Sequence, residues 1–331
     1  MQDPAPSRPP TAVVLGGTGC IGRHVCTAFA RHGYRVVVVA RRPAPHVAEH
    51  MFRPLDLLTA SAAELDALFR DADVRASVVV NATDMAGATD LTSAADGGAG
   101  RAAELLAANE GLARTLVAAL EGNPGRPRLV HLGTIHEYGP GQAGVPLHEE
   151  IEPRPANAYA DAKLAASRTI LDAASAGRVD GVALRLVNTC GPYPTPAGFP
   201  GKLLPRLCAA RQGAELSVRV VDARRDWIDV RDVAEACVLA AERPVSGRVF
   251  NIGSGIAVPM RELVAHCLAA AGLPDSGVTE EDRPGHGGVR GLGADWIQAD
   301  IRLARDLLGF APRFGLRQSL QDMWDAGATS R

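Results

Sequence analysis

Short runs of valine and leucine recur along the chain, separated by longer stretches in which apolar residues return every three or four positions. The runs are Ala12 to Leu15, Val36 to Val39, Ser77 to Val80, Leu129 to Leu132 and Val182 to Leu186. None alternates with polar residues, so each suits a strand covered on both faces of a parallel sheet. The stretches Gly22 to Arg31, Ala102 to Leu120 and Ala160 to Ala174 have helical spacing. Strands alternating with helices predict right-handed crossovers and a doubly wound α/β sheet.

Beyond Val187 the pattern changes. Asn188 to Phe199 is rich in Pro, Gly and Tyr, and Gly277 to Gly293 is rich in Gly; both read as loops around a second, smaller lobe. Trp227 to Ala241 and Arg248 to Ile252 read as a return to the main sheet. The expected division is therefore 10–187 with 227–252 for a cofactor-binding domain, and 188–226 with 253–331 for a discontinuous substrate-binding lobe. No internal repeat is present.

Composition adds mainly exclusions. A chain of 331 residues with 47% hydrophobic and 22% charged residues suits a globular protein with a substantial core. A formal net charge of -2 makes no electrostatic case for nucleic acid or an anionic membrane. No apolar run reaches transmembrane length, and the first ten residues, MQDPAPSRPP, read as a short leader without signal-peptide character. The six cysteines (Cys20, Cys26, Cys190, Cys208, Cys237 and Cys267) include no CxxC pair, which argues against a metal site and suits a reducing cytoplasm.

The first apolar run leads directly into Gly16-Gly17-Thr18-Gly19-Cys20-Ile21-Gly22. Glycines at 16, 19 and 22 permit a tight turn, a close backbone approach to a pyrophosphate, and close helix-to-strand packing, as in a Rossmann-type fold. The following helix N-terminus adds amide donors and partial positive charge. The second run ends in Ala40-Arg41-Arg42, with no carboxylate to accept from a ribose 2′-hydroxyl. Two guanidiniums there suit the 2′-phosphate of NADP(H), although a solvated basic loop would read the same way. Asp56-Leu57 is a candidate for the adenine edge, and Asn81-Ala82-Thr83 for the wall of the cofactor cleft.

Tyr159 and Lys163 lie four residues apart on a predicted helix and so share a face. A tyrosine hydroxyl has a pKa of about 10, and a neighbouring ammonium stabilises the phenolate and lowers that value. With four tyrosines and two lysines in the chain, a chance YxxxK is expected in about two per cent of such sequences. Upstream, Thr134 ends the run His131-Leu132-Gly133-Thr134 and would face the same cleft, where it could hydrogen-bond a carbonyl or hydroxyl oxygen.

At this point the chain resembles the extended short-chain dehydrogenases, the NAD(P)-dependent epimerase/dehydratase group that acts on nucleotide sugars. The likeness runs through GGTGCIG, Thr134 to Gly139, Tyr159 with Lys163, Leu184 to Pro192, Arg225 to Val233, Asn251-Ile252-Gly253 and Arg283-Pro284-Gly285. It implies that Asn188 contacts the sugar diphosphate and that Arg225 and Arg283 bind its phosphates. It also implies a homodimer formed through helices of the cofactor domain.

Departures from the family pattern narrow the reaction. Dehydratases of the group carry Asp-Glu directly after the catalytic threonine, where this chain has Ile135 and His136. Glu137 stands where valine is usual, which leaves its packing open, and Cys190 where tyrosine is common, a change reminiscent of ketoreductases that finish deoxysugars in secondary metabolism. His136 reads either as a second acid/base near the sugar or as a hydrogen-bonded structural histidine. Tyr193 and Phe199 read as stacking partners for the base or as lobe packing. The expectation is NADPH-dependent reduction of the C4 keto group of a nucleotide 4-keto-6-deoxysugar. The rivals are a C4 epimerase and a non-catalytic NADP(H)-binding regulatory protein.

Overall fold

A computed structural model describes residues 8–84, 98–275, 278–281 and 295–328. The main sheet holds seven parallel strands among the described residues: β1 (Thr11–Leu15), β2 (Arg35–Ala40), β3 (Met51–Pro54), β4 (Val78–Asn81), β5 (Arg128–Thr134), β6 (Asp180–Leu186) and, later in the chain, β10 (Val249–Ile252). Their spatial order is β3-β2-β1-β4-β5-β6-β10. Every residue of β1 and β4 is buried, as two covered faces require.

Alternate strand residues feed two cores. Val14, Val38, Val80 and Val130 pack with α1 (Gly22–Arg31), α6 (Val230–Glu242) and α8 (Arg302–Leu308). Val13, Val37, Val79 and Leu129 pack with α2 (Ala62–Arg70), α3 (Gly98–Leu120) and α4 (Ala158–Ser175). The strand order reverses between β1 and β4. In open α/β sheets, ligands bind in the crevice beyond the strand ends at such a point.

A third core is separate. It joins α5 (Phe199–Arg211), α7 (Met260–Ala271) and α9 (Leu316–Ala328) to β8 (Val218–Val221), which pairs with β12 (Val278–Glu281). Between the cores lies a four-stranded sheet of β7 (Asn188–Cys190), β9 (Arg224–Asp229), β11 (Ala257–Pro259) and β13 (Trp296–Ile297).

Two features differ from the sequence reading. Trp227 to Asp229 belong to β9 of the smaller sheet, so only α6 and β10 return to the main one. The apolar residues Ile297, Ala299, Ile301, Ala304, Leu308 and Phe310 join the core beside β10 rather than the third core.

Candidate active site

Gly16 closes the β1 turn at a φ of 75°, in the left-handed region that glycine enters without steric penalty. A Cβ there would lie 3.1 Å from the Ala82 carbonyl oxygen, so the loop rests on the segment after β4. A Cβ on Gly22 would overlap the Gly16 carbonyl. Helix α1 begins with no side-chain cap and no acidic residue in its first turn, which leaves its amides for a phosphate. Thr18, Gly19, Cys20 and Ile21 form the intervening cradle, and Cys20 is half-buried.

At the end of β2, Arg41 and Arg42 are exposed, and among the described residues neither has an ion-pair partner. A short 3₁₀ turn, Pro45–Val47, then brings His46 back so that its Nε2 lies 3.2 Å from the Thr18 carbonyl oxygen. His46 escaped the sequence reading, because nothing local to it marks a contact 28 residues away. The glycine cradle and the open helix end fit the pyrophosphate of a dinucleotide.

Asp56 accepts the Leu58 amide at 3.1 Å, and Leu57 is buried in the core beside α2. Asn81 sits opposite His131 on β5. Its Nδ2 lies 3.1 Å from His131 Nδ1, and its Oδ1 accepts the Thr83 hydroxyl at 2.7 Å. Its side chain is therefore committed inside the protein. His131 Nε2 is buried with no hydrogen-bond partner. Burial, with the Lys163 charge second, pushes the His131 pKa down to about 3, so the ring is neutral.

Asn157 caps α4 by accepting the Ala160 amide at 2.9 Å, which places Tyr159 in the first turn. Tyr159 packs against Leu105 of α3 and Ala162. One turn on, the buried Lys163 ammonium donates to the carbonyl oxygens of Thr83 at 3.2 Å and Leu132 at 3.4 Å. The lowered tyrosine pKa expected from the lysine is not what this arrangement gives. Burial, followed by the charges of Asp84 and Glu137, pushes the Tyr159 hydroxyl well above its usual value.

Thr134 ends β5 and caps the 3₁₀ turn Ile135–Tyr138, its hydroxyl accepting the His136 amide at 3.4 Å. Glu137, whose packing was open from sequence, is fully buried. Its carboxylate accepts from the Thr134 amide at 3.0 Å, Ser167 Oγ at 3.0 Å and Arg185 Nε at 2.8 Å. The Arg185 guanidinium stacks on the Tyr138 ring at 4.4 Å, and the Tyr138 hydroxyl donates to Asn251 Oδ1 at 3.0 Å. Arg185 lies opposite Gly133 in the β5–β6 register, a pairing that strand sequences alone do not disclose.

On the far side of the cleft, Asn188 of β7 pairs with Trp227 of β9 and donates from Nδ2 to the Asp226 carbonyl at 3.3 Å. Arg225 stands two residues before Trp227 on β9. Burial, with the Arg225 charge second, pushes the His136 pKa down to about 4, which places these two residues near each other. Arg283 lies outside the described residues. Tyr193 packs under the Arg23 guanidinium at 3.8 Å, and Phe199 packs on the third core. Among the described residues no cluster of His, Cys, Asp and Glu could hold a metal ion, and no helix is long and apolar enough to cross a membrane.

A family model for the NAD dependent epimerase/dehydratase family matches residues 12–253. The chain belongs to that family. It is an NAD(P)-dependent oxidoreductase with a Rossmann-type sheet. It is 35% identical over 331 residues, 98% of each chain, to a dTDP-6-deoxy-L-talose 4-dehydrogenase (NAD(P)(+)) of Kitasatospora kifunensis. It is 27% identical to a UDP-glucose 4-epimerase of Neisseria gonorrhoeae, with 95% of this chain and 96% of that one covered. Among solved structures it resembles MoeE5 in complex with UDP-glucose and NAD, with a TM-score of 0.79 and 27% identity over 97% of this chain and 99% of that one.

Proposed function

We propose that the chain uses NADPH to reduce the C4 keto group of a nucleotide-activated 4-keto-6-deoxysugar. The observation that carries this reading is the 35% identity, over 98% of both chains, to an enzyme named for redox chemistry at C4 of a 6-deoxysugar nucleotide. Reduction of a 4-ketone and oxidation of the corresponding alcohol are the same reaction run in opposite directions.

The residues support each part. The cofactor, held by the Gly16–Gly22 cradle with Arg41 and Arg42 on its 2′-phosphate, supplies a hydride. Tyr159 donates a proton to the ketone oxygen, and the burial that raises its pKa keeps that proton in place at neutral pH. Lys163 ties the segment after β4 to β5 through the Thr83 and Leu132 carbonyls, and its ammonium would also donate to the cofactor ribose. Thr134 orients the carbonyl. Asn188, Arg225 and Arg283 take the diphosphate, and His136, neutral above about pH 4, offers a hydrogen bond to the sugar rather than an acid. With Ile135 and a neutral His136 after Thr134, the chain lacks the paired carboxyls that elimination of water would use. The larger lobe, built on the seven-stranded sheet, takes the cofactor, and the smaller one, built on the third core, takes the substrate. Two copies pair through helices of the cofactor domain, and the enzyme works in a reducing cytoplasm.

The full-length likeness to a UDP-glucose 4-epimerase supports a second reading, C4 epimerisation with retained cofactor. Incubation with dTDP-6-deoxy-L-talose and NADP⁺ separates the two. The proposal expects net NADPH formation and a 4-keto product. A C4-epimeric alcohol with no net absorbance change would establish the epimerase.

A further inference from the structure

Glu137 is a fully buried carboxylate, and the mechanism above gives it no role. Its ion pair with Arg185 joins side chains that are 0% and 5% exposed. Such a pair is weak evidence of stabilisation, because desolvating two charges offsets their attraction, and apolar replacements are often as stable. What distinguishes it is the position of its hydrogen bonds. One carboxylate oxygen accepts from the Thr134 amide at the end of β5 and from Ser167 Oγ on α4, both at 3.0 Å. Tyr159, Lys163 and Ser167 follow at four-residue intervals on α4, so Ser167 continues the face that carries the tyrosine and lysine.

A second observation shows that room is made for this carboxylate. A Cβ on Gly133 would overlap Glu137 Oε1 and stand 3.0 Å from Ser167 Oγ. The backbone directly before Thr134 is thus bare where the carboxylate passes between β5 and α4. The other oxygen is held by Arg185, opposite Gly133 on β6.

We propose that Glu137 is a positioning residue, whose carboxylate fixes the distance between Thr134 and the Tyr159–Lys163 face of α4 and sets the charge that Tyr159 faces. This rests on the reading of Tyr159 as the proton donor. The charged groups around the tyrosine are Lys163 on its own helix, Asp84 after β4 and Glu137 after β5. Both carboxylates disfavour the phenolate and so keep the donor protonated. Arg185 and Ser167 are the groups that face Glu137 from β6 and α4. The Glu137–Arg185 pair therefore acts on the reaction through geometry and field without touching substrate.

The test uses the full-length enzyme with NADPH and thymidine-diphospho-4-keto-6-deoxyglucose, and begins with Tyr159→Phe. Retained turnover in that variant would overturn the tyrosine reading, and this proposal with it. With Tyr159→Phe inactive, Glu137→Gln is expected to lower kcat by about tenfold to a hundredfold while KM for the sugar stays within about twofold. Removing the negative charge lowers the tyrosine pKa. Since reduction needs the protonated form, the alkaline limb of the kcat profile moves to lower pH. Glu137→Asp, which restores the charge, returns that limb toward its original position. Should Glu137→Gln fail to fold, Ser167→Ala removes only the helix-side hydrogen bond, and a lowered kcat at unchanged KM is expected. A folded Glu137→Gln or Ser167→Ala protein with wild-type kcat and an unmoved pH profile would overturn the proposal.

Discussion

The Lys163 ammonium lies 3.2 Å from the Thr83 carbonyl oxygen, so a side chain from α4 holds the segment that follows β4 and lies beside the glycine loop. It also reaches the Leu132 carbonyl of β5 at 3.4 Å. The lysine is thus structural and, on the proposed mechanism, chemical at once. Lys163→Met keeps the chain length and removes the charge. It is expected to lower turnover about 10²- to 10⁴-fold. The melting temperature should drop as well, since the buried Leu132 carbonyl loses a donor at about 1–3 kcal/mol and the half-buried Thr83 carbonyl loses one at a smaller cost. Rates at saturating substrate beside a thermal melt check both effects.

Tyr159→Phe separates binding from chemistry. The ring packing on Leu105 and Ala162 survives, because the variant loses only the hydroxyl. Turnover should fall about 10²- to 10⁴-fold with NADPH affinity unchanged. Fluorescence titration of NADPH alongside steady-state kinetics gives both numbers.

Arg41 and Arg42 are the basis for preferring a phosphorylated cofactor. Each charge-assisted hydrogen bond is worth about 1.5–3 kcal/mol, so Arg41→Ala and Arg42→Ala should each weaken NADPH binding by about tenfold or more. NADH binding should hardly change. Equal losses for the two cofactors would mean that these arginines do not read the 2′-phosphate.

Much of the fold was legible because a strand covered on both faces must be apolar throughout. Ala12 to Leu15 and Val36 to Val39 read plainly for that reason. The same logic failed at Trp227 to Asp229, since a short apolar run does not say which sheet it joins. Strand β3 went unread because Met51, Phe52 and Arg53 are only half-buried on the sheet's outer edge. The site divides in the same way. Tyr159 and Lys163 lie within one helical turn, so their pairing is written locally. Asn81 meets His131 across β4 and β5, and Arg185 reaches Glu137 from its place opposite Gly133 on β6; that register exists only in the folded sheet. The direction of the Tyr159 pKa was misread because burial and the carboxylates of Asp84 and Glu137, which other elements bring to it, push it up.

His131 and His136 predict an acid limit to stability. Both are held below the usual histidine value, at about 3 and about 4, by burial first. The folded state therefore binds fewer protons than the unfolded chain below about pH 6.5. Their stabilising contribution is full above that pH and is lost as pH falls toward 4. At pH 5 each histidine should remove on the order of 2 kcal/mol. Urea unfolding at pH 7 and pH 5 measures the loss, and His136→Gln should reduce it.

The central claim is tested most directly by nicotinamide absorbance when the purified protein meets thymidine-diphospho-4-keto-6-deoxyglucose and NADPH, with NADH in a parallel cuvette. The account predicts loss of NADPH absorbance in step with alcohol formation, and little change with NADH. Alcohol formed at equal rates with both cofactors would contradict the role of Arg41 and Arg42. No net consumption of either, with the sugar unreduced, would contradict the reductase assignment for this substrate.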